Sequence, residues 1–218
     1  MTEVSCFSPD NMKVIQAVAG TGLAPWEIHR PQKFVRELVL RRGFSGRVLD
    51  AGCGIGDNAL YVAKACPAAE VTAVDVAPRC LDFVATKAGL RGMRDKVTLA
   101  VGDLRCYEAL PPQLRVGPQY DIVLDSCTFH AFSDPDRLSY VRTLSLLLRT
   151  GGLLYMTCMS EEETQPGGPR RVRVDDVHAC CNPSTGWEVE SVEDTIIELH
   201  PTFYAGRSKA RLFTIRRL

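Results

Sequence analysis

The chain has 218 residues, enough for one well-buried domain and short for two. Its 26 acidic and 26 basic residues cancel, so bulk charge offers no attraction to nucleic acid or a membrane surface. No window approaches the ~18 uninterrupted apolar residues of a membrane span. The opening "MTEVSCFSPDNMK" lacks a basic region followed by an apolar run, so no secretory signal is expected and the expected compartment is the cytoplasm. Nine cysteines sit singly in apolar runs, apart from the adjacent Cys180 and Cys181, and there is no CxxC. Buried thiols in a reducing compartment are expected, with a redox or metalloid site as the alternative.

In chain order, "PQKFVRELVLRRG" (31–43) predicts one amphipathic helix. Strand-like apolar runs follow at 47–53, 70–76, 96–103, 120–126 and 153–160, and the first, second and fourth are almost continuously apolar. That pattern belongs to strands covered on both faces. Helices are predicted between them at 57–66, 78–89, 104–110 and 135–149, the second opening on Pro78, a residue suited to a first helical turn. The alternation predicts an α/β, doubly wound, mainly parallel sheet with right-handed crossovers. Residues 161–186 are polar and turn-rich, with room for one short helix. "WEVESVEDTIIEL" (187–199) and "ARLFTIRRL" (210–218) are too close for a helical crossover and predict an antiparallel hairpin at the sheet edge. Five parallel strands plus that hairpin give a Rossmann-like seven-stranded sheet in a single domain.

The stretch "RVLDAGCGIGDNAL" (47–60) places Gly52, Gly54 and Gly56 at alternate positions between a strand and a helix. A dinucleotide fingerprint is GxGxxG and brings pyrophosphate to the helix N-terminus. Here the spacing is GxGxG, and Asp50 and Asp57 flank it with charge that repels phosphate. Asp50, Asp75, Asp103 and Asp125 stand at or near the C-terminal ends of four successive strands, the edge that carries the ligand crevice in open α/β sheets. Such an edge suits a ligand with hydroxyls, amines and positive charge. S-adenosylmethionine has all three: a ribose diol, an adenine amino group, an ammonium and a sulfonium. Asp75, with Val76 beside it, is placed to accept from the ribose hydroxyls. Asp103 can take the adenine amino group, and the Leu104 N–H a ring nitrogen. At Gly52 and Gly54 a Cβ would occupy the ligand's space.

These motifs resemble the class I S-adenosylmethionine-dependent methyltransferases over roughly residues 30–218. "VLDAGCGIG" resembles their first motif, "VTAVDVAP" the second with its ribose-binding acid, "VGDL" the adenine-side motif and "YDIVLDS" the strand-four motif beside the reacting methyl. "GLAPWEIHRPQ" (22–32) resembles the PWD-x-G-x-P segment of the thiol, thiopurine and halide methyltransferase group. The resemblance implies that residues 1–30 cover the cofactor of a 31–218 core, with Trp26, and Arg30 after it, lining the methionine end. Glu27 replaces the usual aspartate of that segment and His29 the usual glycine.

The expected activity is methyl transfer to a small molecule, a thiol or related soft nucleophile foremost, with a hydroxyl or amine of a small metabolite as the alternative. An inactive cofactor-binding subunit and a nicotinamide dehydrogenase are the readings outside that class. His130, four residues beyond the fourth strand, is the histidine placed to act as base, unless it only hydrogen-bonds the loop. Asp125 is expected to face the donor's ammonium, and Arg170 and Arg171 to grip an anionic substrate or lie in solvent. His29, His178 and His200 lack companions at ligand spacing, so no metal is expected. No nucleic-acid or membrane partner is expected, and the sequence leaves monomer and dimer open.

Overall fold

The computed structural model describes residue 15 and residues 17–218; the opening stretch through residue 14 lies outside the described residues. Helix α1 (Lys33–Leu40) precedes β1 (Gly46–Ala51), α2 (Asp57–Ala65), β2 (Ala69–Asp75), α3 (Pro78–Leu90), β3 (Val97–Val101) and β4 (Tyr120–Ser126). Then come α4 (Asp134–Leu147), β5 (Leu148–Met159), α5 (Val174–Cys180), β6 (Trp187–Glu198) and β7 (Arg207–Arg217). The seven strands form one sheet in the order β3-β2-β1-β4-β5-β7-β6. The first five are parallel, and β7 enters antiparallel between β5 and β6. This is the expected α/β sheet with its antiparallel edge pair.

The apolar runs are buried on both faces because their residues alternate between two cores. In β1, Val48 packs with Phe34, Leu60 and Val84 on one face, while Leu49 packs with Val123, Leu144 and Phe213 on the other. In β4, Ile122 and Leu124 join the first core and Val123 the second. Each such side chain, fully buried, contributes about 1.5–3 kcal/mol. Pro78 fills the first turn of α3, where its missing N–H costs no helical bond. At the start of α4, the Ser133 hydroxyl caps the helix by accepting from the Asp136 N–H.

Two expectations are corrected. No α-helix spans 104–110. Single 3₁₀ turns stand at Tyr107–Ala109 and Pro112–Leu114. Pro111 and Pro112 cannot continue a helical hydrogen-bond ladder, and Arg105 folds back onto Asp103 instead of projecting along a helix. The fifth strand begins at Leu148 rather than 153, with an irregular register between Tyr120 and Ile122 of its partner that absorbs the Gly151–Gly152 turn.

Candidate active site

Each parallel strand ends at the same edge, and the loops leaving β1, β2, β3 and β4 surround a cavity of about 320 Å³. Gly52, Gly54 and Gly56 all have positive φ (77°, 52° and 75°), so the chain turns sharply from β1 into α2. The glycines do different work. A Cβ on Gly56 would lie 2.5 Å from Val84 Cγ2, and one on Gly52 would strike the Thr128 hydroxyl. A Cβ on Gly54 would meet nothing nearer than Trp26 Cδ1 at 4.0 Å, so this glycine keeps open the space between the loop and Trp26.

Asp75 holds this loop in place. Its Oδ2 accepts from the Gly54 N–H and its Oδ1 from the Ala77 N–H, each at 2.8 Å. A carboxylate oxygen has about two acceptor positions, so each retains one for a ligand hydroxyl. Burial raises the pKa of Asp75, and the backbone donors oppose that rise. Asp103 is clasped by Arg105, whose backbone N–H and Nε reach Oδ1 at 2.9 and 3.0 Å and whose Nη2 reaches Oδ2 at 2.7 Å. Burial alone would raise Asp103, but the hydrogen bonds and charge of Arg105 outweigh it and hold the carboxyl below its usual range. The sequence reading missed Arg105, though an arginine two residues after an expected ligand acid was the available signal.

Trp26, Gly52, Gly54, Gly56, Asp75, Val76, Asp103, Leu104 and His130 thus line one cavity, with Arg30 at its edge. Asp50 and Asp125 do not line it. Asp50 is 1% exposed beneath the glycine loop, and neither carboxylate oxygen has a hydrogen-bond partner. The Ala59 backbone N–H in the first turn of α2 favours the charged form of Asp50, but burial outweighs it. Burial pushes Asp50 up to about 7. The expectation that Asp125 faces a ligand ammonium is corrected. Its oxygens accept from the Thr128 N–H (2.7 Å), the Phe129 N–H (3.0 Å) and the Tyr140 hydroxyl (2.8 Å), which fixes the turn after β4. Burial pushes it, too, up to about 7.

His130 lines the cavity but is not built as a base. Its Nδ1 accepts from the Met159 N–H at 3.1 Å, which assigns the ring proton to Nε2. Burial, then the charges of Arg137 and Arg171, press its pKa down to about 3. Arg170 and Arg171 are not free to grip a substrate. Arg170 pairs with Asp134 at 2.7 Å, and Arg171 donates to the carbonyls of Glu163, Gln165, Gly167 and Pro169. Upstream, Glu27 accepts from the Gly20 and Gly22 N–H groups. His29 keeps the left-handed conformation that the glycine it replaces would favour, at φ 57°. Among the described residues, no group of three or more His, Cys, Asp or Glu is positioned to hold a metal ion, and no helix is long and apolar enough to cross a membrane.

The strand order with an antiparallel seventh strand, the glycine loop after β1 and the acid ending β2 define the class I methyltransferase fold. Residues 48–152 match the family model described as a methyltransferase domain. Among curated relatives, the 2-heptyl-1-hydroxyquinolin-4(1H)-one methyltransferase of Mycobacteroides abscessus is 29% identical over 120 residues, 55% of this chain and 49% of that protein. The release factor glutamine methyltransferase of Bordetella pertussis is 41% identical over 88 residues, 40% of this chain and 30% of that protein. The chain therefore spans half or less of the length of these relatives. A solved S-adenosylmethionine-dependent methyltransferase from Anabaena variabilis superposes with a TM-score of 0.74 at 15% identity, over 100% of both chains. A protein solved in work on converting a disulfide bond into a thioacetal group during echinomycin biosynthesis reaches a TM-score of 0.77 at 24% identity. It is matched over 94% of this chain and 90% of its own. At these identities the likeness is one of fold.

Proposed function

We propose that the protein transfers the methyl group of S-adenosylmethionine to a small molecule, a thiol or related soft nucleophile foremost. The observation that carries this is Asp75: it is a half-buried carboxylate at the end of β2 that braces the glycine loop and still presents acceptor positions to the cavity. The family match over residues 48–152 supports the same reading. The methyltransferase of a hydroxyquinolone among the relatives supports a small acceptor. The resemblance of residues 22–32 to the thiol, thiopurine and halide group supports a soft one.

When bound, S-adenosylmethionine supplies an electrophilic methyl carbon, whose bond to sulfur breaks with the electron pair returning to sulfur as the acceptor attacks in line. The residues of this chain do the rest by holding and drying the reactants. Asp75 accepts from the ribose hydroxyls. Asp103, held by Arg105, takes the adenine amino group, and the Leu104 N–H a ring nitrogen. Gly54 admits the ligand close to the backbone, while the absence of a side chain at Gly52 makes room for Thr128; Val76 borders the sugar, and Trp26 covers the methionine end. His130 offers a neutral ring with its proton on Nε2. Asp50 and Asp125 support the loops from below.

The test is release of S-adenosylhomocysteine with matched panels of thiols, phenols and amines. Turnover confined to thiols is the expected result. Turnover confined to phenols or amines would move the acceptor to oxygen or nitrogen. No turnover across all three panels, with donor binding intact, would mean a cofactor-binding subunit without transferase activity.

A further inference from the structure

The sheet order separates the two ends of the cavity. Asp75 and Asp103, assigned above to the donor, end β2 and follow β3, on one side of β1 and β4. On the other side the cavity is walled by Met159 at the end of β5, Ile197 near the end of β6 and Leu199 just beyond it. These three share a buried apolar cluster with Ala210. Phe203 and Tyr204, from the connection between β6 and β7, join this wall.

Phe203 differs from the cluster beside it. It is 40% exposed, whereas Met159, Ile197 and Leu199 are 2–7% exposed. An apolar ring that lines a cavity and is still wetted gains by being covered, because covering removes apolar surface from water. A polar molecule set against the same wall would lose hydrogen bonds to water and regain none from the side chains of Met159, Ile197, Leu199 and Phe203.

The connection that carries Phe203 is fixed from several sides. Next to it, Tyr204 and Ala205 are both left-handed, at φ 50° and 49°, without being glycine. Such a backbone persists only where its surroundings hold it. The Tyr204 hydroxyl donates to the Gly167 carbonyl, and the Leu199 N–H donates to the Gly206 carbonyl at 2.9 Å, closing the turn. The His200 N–H donates to the Pro25 carbonyl at 2.8 Å, which joins the turn to the segment that carries Trp26. Phe203 is therefore presented on a preformed surface, and a ligand that covers it has little ordering to impose.

We infer, on the reading that S-adenosylmethionine is the donor, that the methyl acceptor has an apolar body that packs under Phe203 against Met159, Ile197 and Leu199. Phe203 then selects the acceptor and takes no part in holding the donor, whose acids lie across β1 and β4 from it. The apolar body is required whichever atom of the acceptor takes the methyl group.

The test is a binding measurement and needs no turnover. Protein loaded with S-adenosylhomocysteine is titrated with 2-naphthylmethanethiol and 2-naphthylmethanol, followed by naphthalene fluorescence. Calorimetry gives the same quantity for 2-mercaptoethanol and ethylene glycol, which carry the same head groups on a small polar body. The naphthyl compounds should bind at least about tenfold more tightly than their polar counterparts, with either head group. Phe203→Ala should weaken them about tenfold, and Phe203→Trp should retain them. Both variants should bind S-adenosylhomocysteine within about twofold of wild type. No naphthyl binding, polar counterparts that bind as tightly, or naphthyl affinity unchanged in Phe203→Ala would each overturn the inference. So would a loss of S-adenosylhomocysteine in Phe203→Ala equal to the loss of the naphthyl compounds, which would make Phe203 a cover for the donor. Failure of S-adenosylhomocysteine to bind the wild-type protein would instead overturn the donor reading, and its titration alone, before any acceptor is added, tells the two failures apart.

Discussion

Gly54 and Gly56 are two residues apart in one loop, yet alanine at each should fail in a different way. At Gly56 the added Cβ lies 2.5 Å from Val84 Cγ2 and 2.8 Å from Cγ1, and Val84 is fully buried. The left-handed backbone costs an alanine about 1–2 kcal/mol, and displacing a packed valine costs about 1–3 kcal/mol more. Gly56→Ala should therefore lose about 2–5 kcal/mol, a large share of the ~5–15 kcal/mol typical of a domain. Its Tm should fall by about 4–20 °C. Gly54→Ala incurs only the backbone cost, about 1–2 kcal/mol, because its Cβ enters open space beneath Trp26. Its methyl meets the ligand instead, and an overpacking cost of about 1–3 kcal/mol falling on the complex weakens S-adenosylhomocysteine about tenfold or more. Thermal melts and calorimetric titration of both variants read the two quantities separately. Gly54→Ala melting as low as Gly56→Ala while binding normally would refute the assignment of Gly54 to the ligand and Gly56 to packing.

Asp50 is raised to about 7 by burial, so folding takes up a proton between about pH 4 and pH 7 and stability falls as pH rises through that window. Asp50→Asn should match wild type below pH 4 and exceed it by a margin that grows to a plateau above pH 7; a urea-melt difference independent of pH would contradict this. Tyr140→Phe removes a buried hydrogen bond to the Asp125 carboxylate and should cost about 1.5–3 kcal/mol, so an unchanged urea midpoint would show that the bond contributes nothing. Arg105→Ala and Asp103→Ala should each weaken S-adenosylhomocysteine, while the double variant loses less than the sum because the two act as one clasp. Full additivity would separate them.

How much of this was legible in the sequence depended on what kind of constraint each residue obeys. The strands were legible because burial on both faces forces continuous apolar runs, as in Val48–Leu49 and Ile122–Val123–Leu124. The edge that carries the cavity was legible from acids at strand ends. Which of those acids reach the cavity was not: Asp50 and Asp125 occupy the right edge but turn beneath the loops, and strand position alone does not fix that direction. The 104–110 helix was misread because Leu104, Tyr107 and Leu110 fall three residues apart, as on a helix, while they pack inward between turns. The arginines of 170–171 looked free because nothing local shows that a Pro/Gly-rich segment folds back and offers its carbonyls to Arg171. His29 kept a glycine-like backbone without glycine, so its identity was a poor guide to its conformation.

The central claim is that Asp75 and the glycine loop hold S-adenosylmethionine. Its most direct test is calorimetric titration of the purified protein with S-adenosylmethionine, S-adenosylhomocysteine and NAD in parallel, repeated on Asp75→Ala. The account predicts binding of the first two and not NAD, weakened about tenfold to a hundredfold in the variant through loss of charge-assisted hydrogen bonds of about 1.5–3 kcal/mol. Binding of NAD alone, or undiminished binding of S-adenosylmethionine by Asp75→Ala, would contradict it.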